Sequence, residues 1–127
     1  MNFLARLRHD IVGNTLAIVG ASMVPLVAMI GGGVDMSRAY MVESRLQQAC
    51  DAGVLAGRKA MGSDSWSSAA ADTASEYFNV NYASDYLGSQ GTSFVPTNPS
   101  GTTTVSATAT TTLPTVIMQF FTLTDMT

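Results

Sequence analysis

Three carboxylates, Asp35, Glu43 and Asp51, recur at eight-residue intervals in a stretch whose pattern predicts a helix. Eight helical residues turn successive side chains by about 80° and separate them by about 12 Å, so the three cannot share a proton or a metal ion. His9 is the only histidine and Cys50 the only cysteine. These residues provide neither a histidine-based metal set nor an intrachain disulfide, and no glycine-rich phosphate loop of known spacing occurs. We therefore predict a protein that is not an enzyme, with no catalytic, cofactor or metal site.

The charges are unevenly distributed along the chain. All six basic residues lie within the first 59 positions, whereas residues 60–127 carry only acidic groups, and the net charge is −3. No cluster of lysine and arginine is present that would attract a phosphate backbone. The composition therefore excludes nucleic acid as an expected partner.

The element on which the rest of the chain depends is an uncharged span, residues 11–34. Its 24 positions lie between Asp10 and Asp35 and leave no polar face. As a helix it measures about 36 Å, enough to cross a hydrocarbon core of about 30 Å. We predict a transmembrane helix over 11–34, preceded by a cytoplasmic lead over 1–10, with membrane lipid as its partner.

Small residues form a stripe on this predicted helix. Gly13, Ala17 and Ala21 recur every four positions, which gives a narrow face on which another transmembrane helix could pack. The alternative is that the small residues have no packing role, since glycine is in any case commoner in membrane helices than in soluble ones.

The flanking charges and the length of the span bear on topology. Arg6 and Arg8 precede the span, which favours a cytoplasmic N-terminus, and the Ser/Thr-rich part without lysine or arginine is typical of exported material. A cleavable signal peptide is the competing interpretation. Its apolar region is usually about 7–15 residues long and is followed by a small-x-small site, which is not evident here. An uncleaved anchor is favoured, and a secreted protein with a cleaved leader remains the alternative.

Beyond the span, apolar residues at steps of three or four predict an amphipathic helix over 35–61. Asp35 and Arg38 are spaced i, i+3 and are expected to pair where the helix leaves the membrane, contributing about 0.2–0.5 kcal/mol if exposed. The later part of the apolar stripe consists of small residues, which let a partner helix approach closely. The predicted packing positions in this part are Ala49, Gly53, Ala56, Gly57 and Ala60.

The helix is expected to end near Met61, because Gly62 can supply a C-cap. Residues 63–65, Ser-Asp-Ser, offer N-caps for a second helix over about 66–79. Helices joined by so short a turn are expected to pack antiparallel.

The remainder is rich in turns and threonine. A short strand is predicted near 92–95, and alternation of apolar and hydroxyl side chains predicts a half-buried strand over 102–112, ended by Pro114. The apolar run 116–123 fits either one face of a short helix or a buried strand. If exposed, it implies a partner or a continuation of the chain. The expected fold is α+β, with a long transmembrane helix that continues into an amphipathic one, a short antiparallel helix and a small Thr-rich antiparallel β region, so that residues 62–127 form a small outer domain.

Short motifs follow one another along most of the chain: Gly13-Asn14, Pro25, Val34-Asp35, Arg38, Leu46-Gln47-Gln48-Ala49-Cys50-Asp51-Ala52, Leu55-Ala56, Tyr77-Phe78-Asn79-Val80-Asn81 and a later Val-Ser-Ala-Thr-Ala strand. Together they resemble the N-terminal region of TadG/TadE-like Flp pilus-assembly proteins. The resemblance implies a single-pass inner-membrane component of a bacterial Tad (tight adherence) pilus and secretion system, with a pilin-like globular part in the periplasm.

That resemblance implies a minor pilin-like structural or assembly role, with other Tad/Flp pilus subunits as partners and homo-oligomers as a further option. Prepilin-like relatives carry glutamate at the fifth position after the cleavage-site glycine, whereas Ile18 stands fifth after Gly13. This departure argues against processing after Gly13 and against a major-pilin role. A membrane-tethered periplasmic binding module, whose Thr-rich sheet contacts a ligand or cell-wall polymer, is the alternative function.

Overall fold

The computed structural model describes residues 11–63, 65–99, 102–121 and 125–126, with side chains from residue 15 to residue 120 within those ranges. The predicted cytoplasmic lead, residues 1–10, lies outside the described residues. The helices are α1 (Ile11–Met61) and α2 (Ser68–Asn81), and the strands are β1 (Gln90–Thr97), β2 (Ser106–Pro114) and β3 (Asp125–Met126). Two 3-10 turns lie at Tyr86–Gly88 and Met118–Phe121.

Helix α1 is a single element of 51 residues, about 76 Å long, and it continues through Pro25. The apolar span and the amphipathic stretch are therefore one helix, as predicted. The helix ends at Met61 because Gly62 adopts a φ of +59° and donates its N–H to the Lys59 carbonyl at 3.2 Å. Glycine reaches this left-handed conformation at little cost, which confirms the predicted stop.

Helix α2 begins two residues later than predicted. Its N-cap is Ser67, whose hydroxyl accepts the Ala70 N–H at 3.3 Å, and not a residue of the 63–65 segment. Trp66, predicted to open the helix, instead packs against the cluster of buried residues that contains Met61 and Ala70. Packing of the tryptophan thus selects one cap from several serine candidates; Asp64 lies outside the described residues.

The two helices pack antiparallel, as predicted. A Cβ atom placed on Gly57 would lie 3.3 Å from the Ala70 carbonyl oxygen, and one on Gly53 would lie 2.8 Å from the Ala74 carbonyl oxygen. Residue numbers along α1 therefore increase in the direction in which residue numbers along α2 decrease. Both approaches are close because glycine has no side chain at the contact.

The sheet has the order β1-β2-β3, and both strand pairs are antiparallel. In the first pair Phe94 lies opposite Ala109, and Thr97 lies opposite Ser106. Strand β2 starts four residues later than predicted. The reason is that the Asn98 side-chain amide donates to the carbonyls of Thr102 and Thr104, at 3.1 and 2.6 Å, and so holds those residues in a loop.

The core lies between the second half of α1, α2 and the sheet. Phe78, 2% exposed, is at its centre, with its ring stacked on Phe94 at a centroid distance of 4.3 Å and on Tyr82 at 5.9 Å. The main cluster of buried residues consists of Val42, Ala49, Phe78, Tyr82 and Leu113. A second cluster near the turn between the helices consists of Met61, Ala70 and Val105.

The run whose type was left open, 116–123, contains the 3-10 turn Met118–Phe121. Of the two interpretations, the structure therefore has the helical one over that part. Residues 122–124 lie outside the described residues.

Candidate functional site

The first half of α1 is an exposed apolar rod, defined here as residues 16–30. Its large side chains face outward, with Leu16 76% and Met29 72% exposed, and nothing beyond the helix lies within 4 Å of a Cβ placed on Gly20. The most apolar 18-residue window of the helix has a mean hydropathy of 1.9 and is 6% buried. The helix is thus long and apolar enough to cross a membrane, and the rod's apolar surface is not covered by the part of the chain that the structure describes.

Coverage begins abruptly at Gly31. A Cβ atom on Gly31 would collide with the side chain of Ile117, and one on Gly32 would lie 3.7 Å from the Met118 sulfur. The segment that makes these contacts, residues 116–120, is called the crossing turn. It can lie this close to α1 because Gly31 offers no side chain. Residues 31–121, as far as they are described, are called the head.

Asp35 holds the crossing turn in place. Its carboxylate accepts three consecutive backbone N–H groups, from Val116 at 3.1 Å, Ile117 at 3.0 Å and Met118 at 2.9 Å. These are N–H groups at the start of a helical turn, which have no acceptor within the turn itself. Hydrogen bonds to an ionised acceptor are the stronger kind, so one side chain of α1 fixes the last described turn of the head.

Arg38 extends this site to two other segments. One guanidinium nitrogen lies 3.6 Å from the Asp35 carboxylate and 3.4 Å from the Pro114 carbonyl, and the other donates to the Leu87 carbonyl at 2.6 Å. Leu87 has a φ of +52°, a strained value for a residue with a side chain, and this hydrogen bond helps to hold it. The Asp35–Arg38 pair therefore joins α1 to the end of β2, the crossing turn and the 3-10 turn Tyr86–Gly88.

The environment of Asp35 acts on its ionisation in two directions. Burial is the largest single influence and raises the pKa, but the three N–H donors and the Arg38 guanidinium together outweigh it, so the pKa lies below the ordinary value of 3.8. The side chain is 1% exposed, and every influence on it other than burial favours the charged form. The carboxylate is therefore ionised at neutral pH and fully paired.

Sequence reasoning found the Asp35–Arg38 pair and missed its main partners. The ion pair is present at the predicted i, i+3 spacing, whereas the N–H groups of the crossing turn lie more than 80 residues away in the chain. Nothing local to Asp35 indicates that contact. The only available signal was general: a charge placed directly after an apolar span requires a partner if it is buried.

The predicted packing positions separate into two groups. Three of them, Ala49, Gly53 and Gly57, are buried inside the head, and the two glycines face α2. The partner that the small residues admit at these glycines is thus a helix of the same chain. The others are exposed or half-buried on the surface, at Ala17, Ala21, Ala56 and Ala60; Gly13 is described only as backbone of the first turn of α1.

Cys50 is a partly buried thiol next to β2. Its sulfur lies 3.9 Å from the Ala107 carbonyl oxygen, and burial first, then the negative charge of Asp51, raise its pKa. A thiol of this kind is a poor nucleophile at neutral pH. Among the described residues, no group of three or more histidine, cysteine, aspartate or glutamate side chains could hold a metal ion.

A comparison with protein families identifies the region that contains this site. The family model described as Tad, putative Flp pilus-assembly TadE/G-like, matches residues 13–72, slightly under half of the chain. The match covers nearly all of α1, including Asp35 and Arg38, and the start of α2. The family is one of pilus-assembly components and not of enzymes. Neither the search of curated proteins nor the search of solved structures found a match.

Proposed function

We propose a minor pilin-like role, a single-pass membrane component that joins other pilus subunits through its rod, and the match of residues 13–72 to the TadE/G-like family model of Flp pilus-assembly proteins supports it. The role in pilus assembly comes from the family. The anchor, its orientation and the packing mechanism are what we add, and each rests on a different observation.

The observation that carries the proposal is the change in the surroundings of α1 at Gly31. Nine large apolar side chains, distributed around the rod, are between 45% and 76% exposed, whereas from Gly31 onward other segments of the head bury one face of the helix and leave Val34, Met36 and Tyr40 exposed on its other face. Removing nine such side chains from water contributes on the order of 10 kcal/mol. A bilayer supplies that environment, because the backbone groups of a helix are already paired with one another.

The orientation follows from charge. Arg6 and Arg8 precede the rod and Arg38 and Arg45 follow it within about 15 residues, so the basic residues that flank the helix do not by themselves set its orientation. The part of the chain after Lys59 carries no lysine or arginine, which is typical of exported material and favours the head as the translocated side. We therefore place the N-terminus in the cytoplasm and the head in the periplasm.

The rod, and not the buried small residues of the head, is the surface proposed to contact other subunits. Gly53 and Gly57 are already occupied by α2, whereas Ala17 and Ala21 are exposed on one face of the rod. Small residues four positions apart let two membrane helices approach closely. Packing at this face would join the protein to a neighbouring transmembrane helix without changing the head.

The proposal is tested by enlarging that face in the full-length chain. We expect Ala17→Leu combined with Ala21→Leu to abolish co-purification with the other Tad/Flp components while the protein stays in the membrane after alkaline carbonate washing. The matched control is Ser22→Leu, which adds similar bulk to an exposed rod position turned about 140° from Ala17. Unchanged co-purification of the double variant would contradict the packing face, and release of the unaltered protein by carbonate would contradict the anchor.

A further inference from the structure

We propose that the crossing turn, residues 116–120, rests on the bilayer surface and that Phe120 inserts into its headgroup region. This inference depends on the membrane anchor of the proposed function and adds a second, peripheral contact between the head and lipid. In this proposal the exposed apolar turn contacts a phospholipid bilayer, and not a second copy of the chain.

The position of the turn along α1 is the first argument. Ile117 and Met118 lie beside Gly31 and Gly32, directly after Ile30, whose side chain is 66% exposed. One residue of a helix rises about 1.5 Å. Lipid that surrounds the last exposed turn of the rod therefore reaches the crossing turn as well.

The length of the rod is compatible with this boundary. A helix from residue 11 to residue 30 measures about 30 Å, which equals the hydrocarbon thickness of a typical bilayer. The sequence alone predicts a span that extends to Val34. Because the crossing turn already contacts α1 at Gly31, we place the edge of the hydrocarbon region at residues 30–31.

The composition and exposure of the turn are the second argument. Residues 115–121 carry no charge. Phe120 is 81% exposed and Val116 49%, whereas Phe78, in the core, is 2% exposed. Apolar side chains that project from a membrane-proximal segment bind at the boundary between headgroups and acyl chains, about 5–10 Å deep.

The turn is also held in a fixed shape that keeps Phe120 outward. The Phe120 N–H donates to the Ile117 carbonyl at 3.2 Å, and the Gln119 side-chain amide donates to the Val116 carbonyl at 2.8 Å. The Asp35 carboxylate, which lies at the same level, is paired with Arg38 and with the N–H groups of the turn. Among the side chains that the structure describes at this level, the charges of Asp35 and Arg38 are both paired, so neither meets lipid as an unpaired charge.

Depth-dependent fluorescence quenching tests the inference in the full-length chain. In a Cys50→Ala background, three variants, Phe120→Cys, Val80→Cys and Ile18→Cys, each receive an environment-sensitive label. They are reconstituted into phosphatidylcholine–phosphatidylglycerol vesicles that contain nitroxide lipids. Val80, on α2, is the matched control because it is 79% exposed. The antiparallel packing of the helices places it at a level of α1 roughly 25 Å beyond Gly31, away from the proposed bilayer surface.

We expect the label at position 120 to be quenched more by a nitroxide near the headgroup than by one deep in the acyl chains. The label at 18 should be quenched most by the deep nitroxide, and the label at 80 by neither. Quenching at 18 without quenching at 120 overturns the inference and leaves the anchor intact. Absence of quenching at both positions overturns the anchor and the inference together. A label at 120 that is shielded from both lipid nitroxide and aqueous iodide is covered by protein, which also overturns the inference.

Discussion

The two halves of α1 differ in their surroundings although they share one regular backbone. In the rod, residues 16–30, apolar side chains occur on all sides and nearly all are exposed. In the second half, burial recurs at Asp35, Val42, Ala49 and Gly53, along one side of the helix. A helix that is apolar all round is suited to lipid, and one that is apolar on a single face is suited to a small core. Helix α1 is therefore suited to lipid in its first half and to the small core of the head in its second half, and the change occurs at Gly31.

The glycines of the two halves show the same difference at a single residue type. A Cβ on Gly20, in the rod, would meet nothing within 4 Å, whereas one on Gly53 would lie 2.8 Å from both the Ala74 carbonyl oxygen and the Phe94 ring. Gly53 is thus required by the packing of α2 and β1 against α1. The structure gives no such requirement for Gly20.

The largest expected effect comes from removing the central ring of the head. Phe78→Ala should lower the free energy of unfolding by about 3–5 kcal/mol, because the ring is buried and stacks on two neighbours. Thermal unfolding of the full chain in detergent micelles, followed by Trp66 fluorescence, measures the change. Leu16→Ala, in the rod, is the control and should leave the transition of the head in place; an equal shift for both variants would refute the division of α1 into two halves.

A smaller effect is expected from a single added methyl group. Gly53→Ala gains about 1 kcal/mol of helix propensity, but its Cβ meets a backbone oxygen and an aromatic ring. Overpacking of this kind costs about 1–3 kcal/mol, so we expect a net loss of up to about 2 kcal/mol. Gly33→Ala, where a Cβ meets nothing within 4 Å, should be neutral or stabilising in the same unfolding assay. The interpretation of Gly53 as a packing contact fails if the two substitutions have the same sign.

A local effect is expected at the boundary between the halves. Asp35→Asn removes the charge that accepts the N–H groups of Val116, Ile117 and Met118. We expect a loss of about 1–2 kcal/mol, because a neutral amide oxygen replaces the ionised acceptor of the three N–H groups and pairs with them less strongly. Hydrogen exchange of these three amides should accelerate while the amides of α2 stay protected.

Asp51→Asn is the matched control for that substitution. Asp51 is exposed and accepts one side-chain hydrogen bond, from Gln47 at 3.0 Å. Surface substitutions of this kind usually change stability by less than about 0.5 kcal/mol. If exchange at residues 116–118 were the same in Asp35→Asn as in the unaltered protein, the carboxylate would not be what holds the crossing turn.

The features that the sequence predicted correctly are those set by neighbouring residues. The uncharged run 11–34, the steps of three and four that follow it, and Gly62 are sufficient to predict one long helix and its end. The alternation along residues 105–110 is sufficient to predict a strand. Each of these patterns is a local property of a helix or a strand and needs no knowledge of the rest of the fold.

The features that escaped prediction depend on residues far apart in the chain. Several serines can cap α2, and the choice of Ser67 follows from the packing of Trp66. The small residues Gly53 and Gly57 indicate a close helix partner but not that the partner is α2. The Asp35 site joins segments more than 80 residues apart, so no local pattern contains it.

The smallest expected effect is the pH dependence of the same boundary. The pKa of Asp35 in the folded protein lies below its ordinary value of 3.8, so the folded state favours the ionised form. Its contribution is complete above that ordinary value and is lost as pH falls through the lower, folded pKa. The stability difference between the unaltered protein and Asp35→Asn should therefore stay constant from about pH 7 to pH 5 and shrink below about pH 4. Because Asp35→Asn removes only this titrating group, the subtraction cancels the other carboxylates. A difference that already shrinks near pH 6 would mean that burial outweighs the three N–H donors and Arg38, contrary to the geometry at the junction of rod and head.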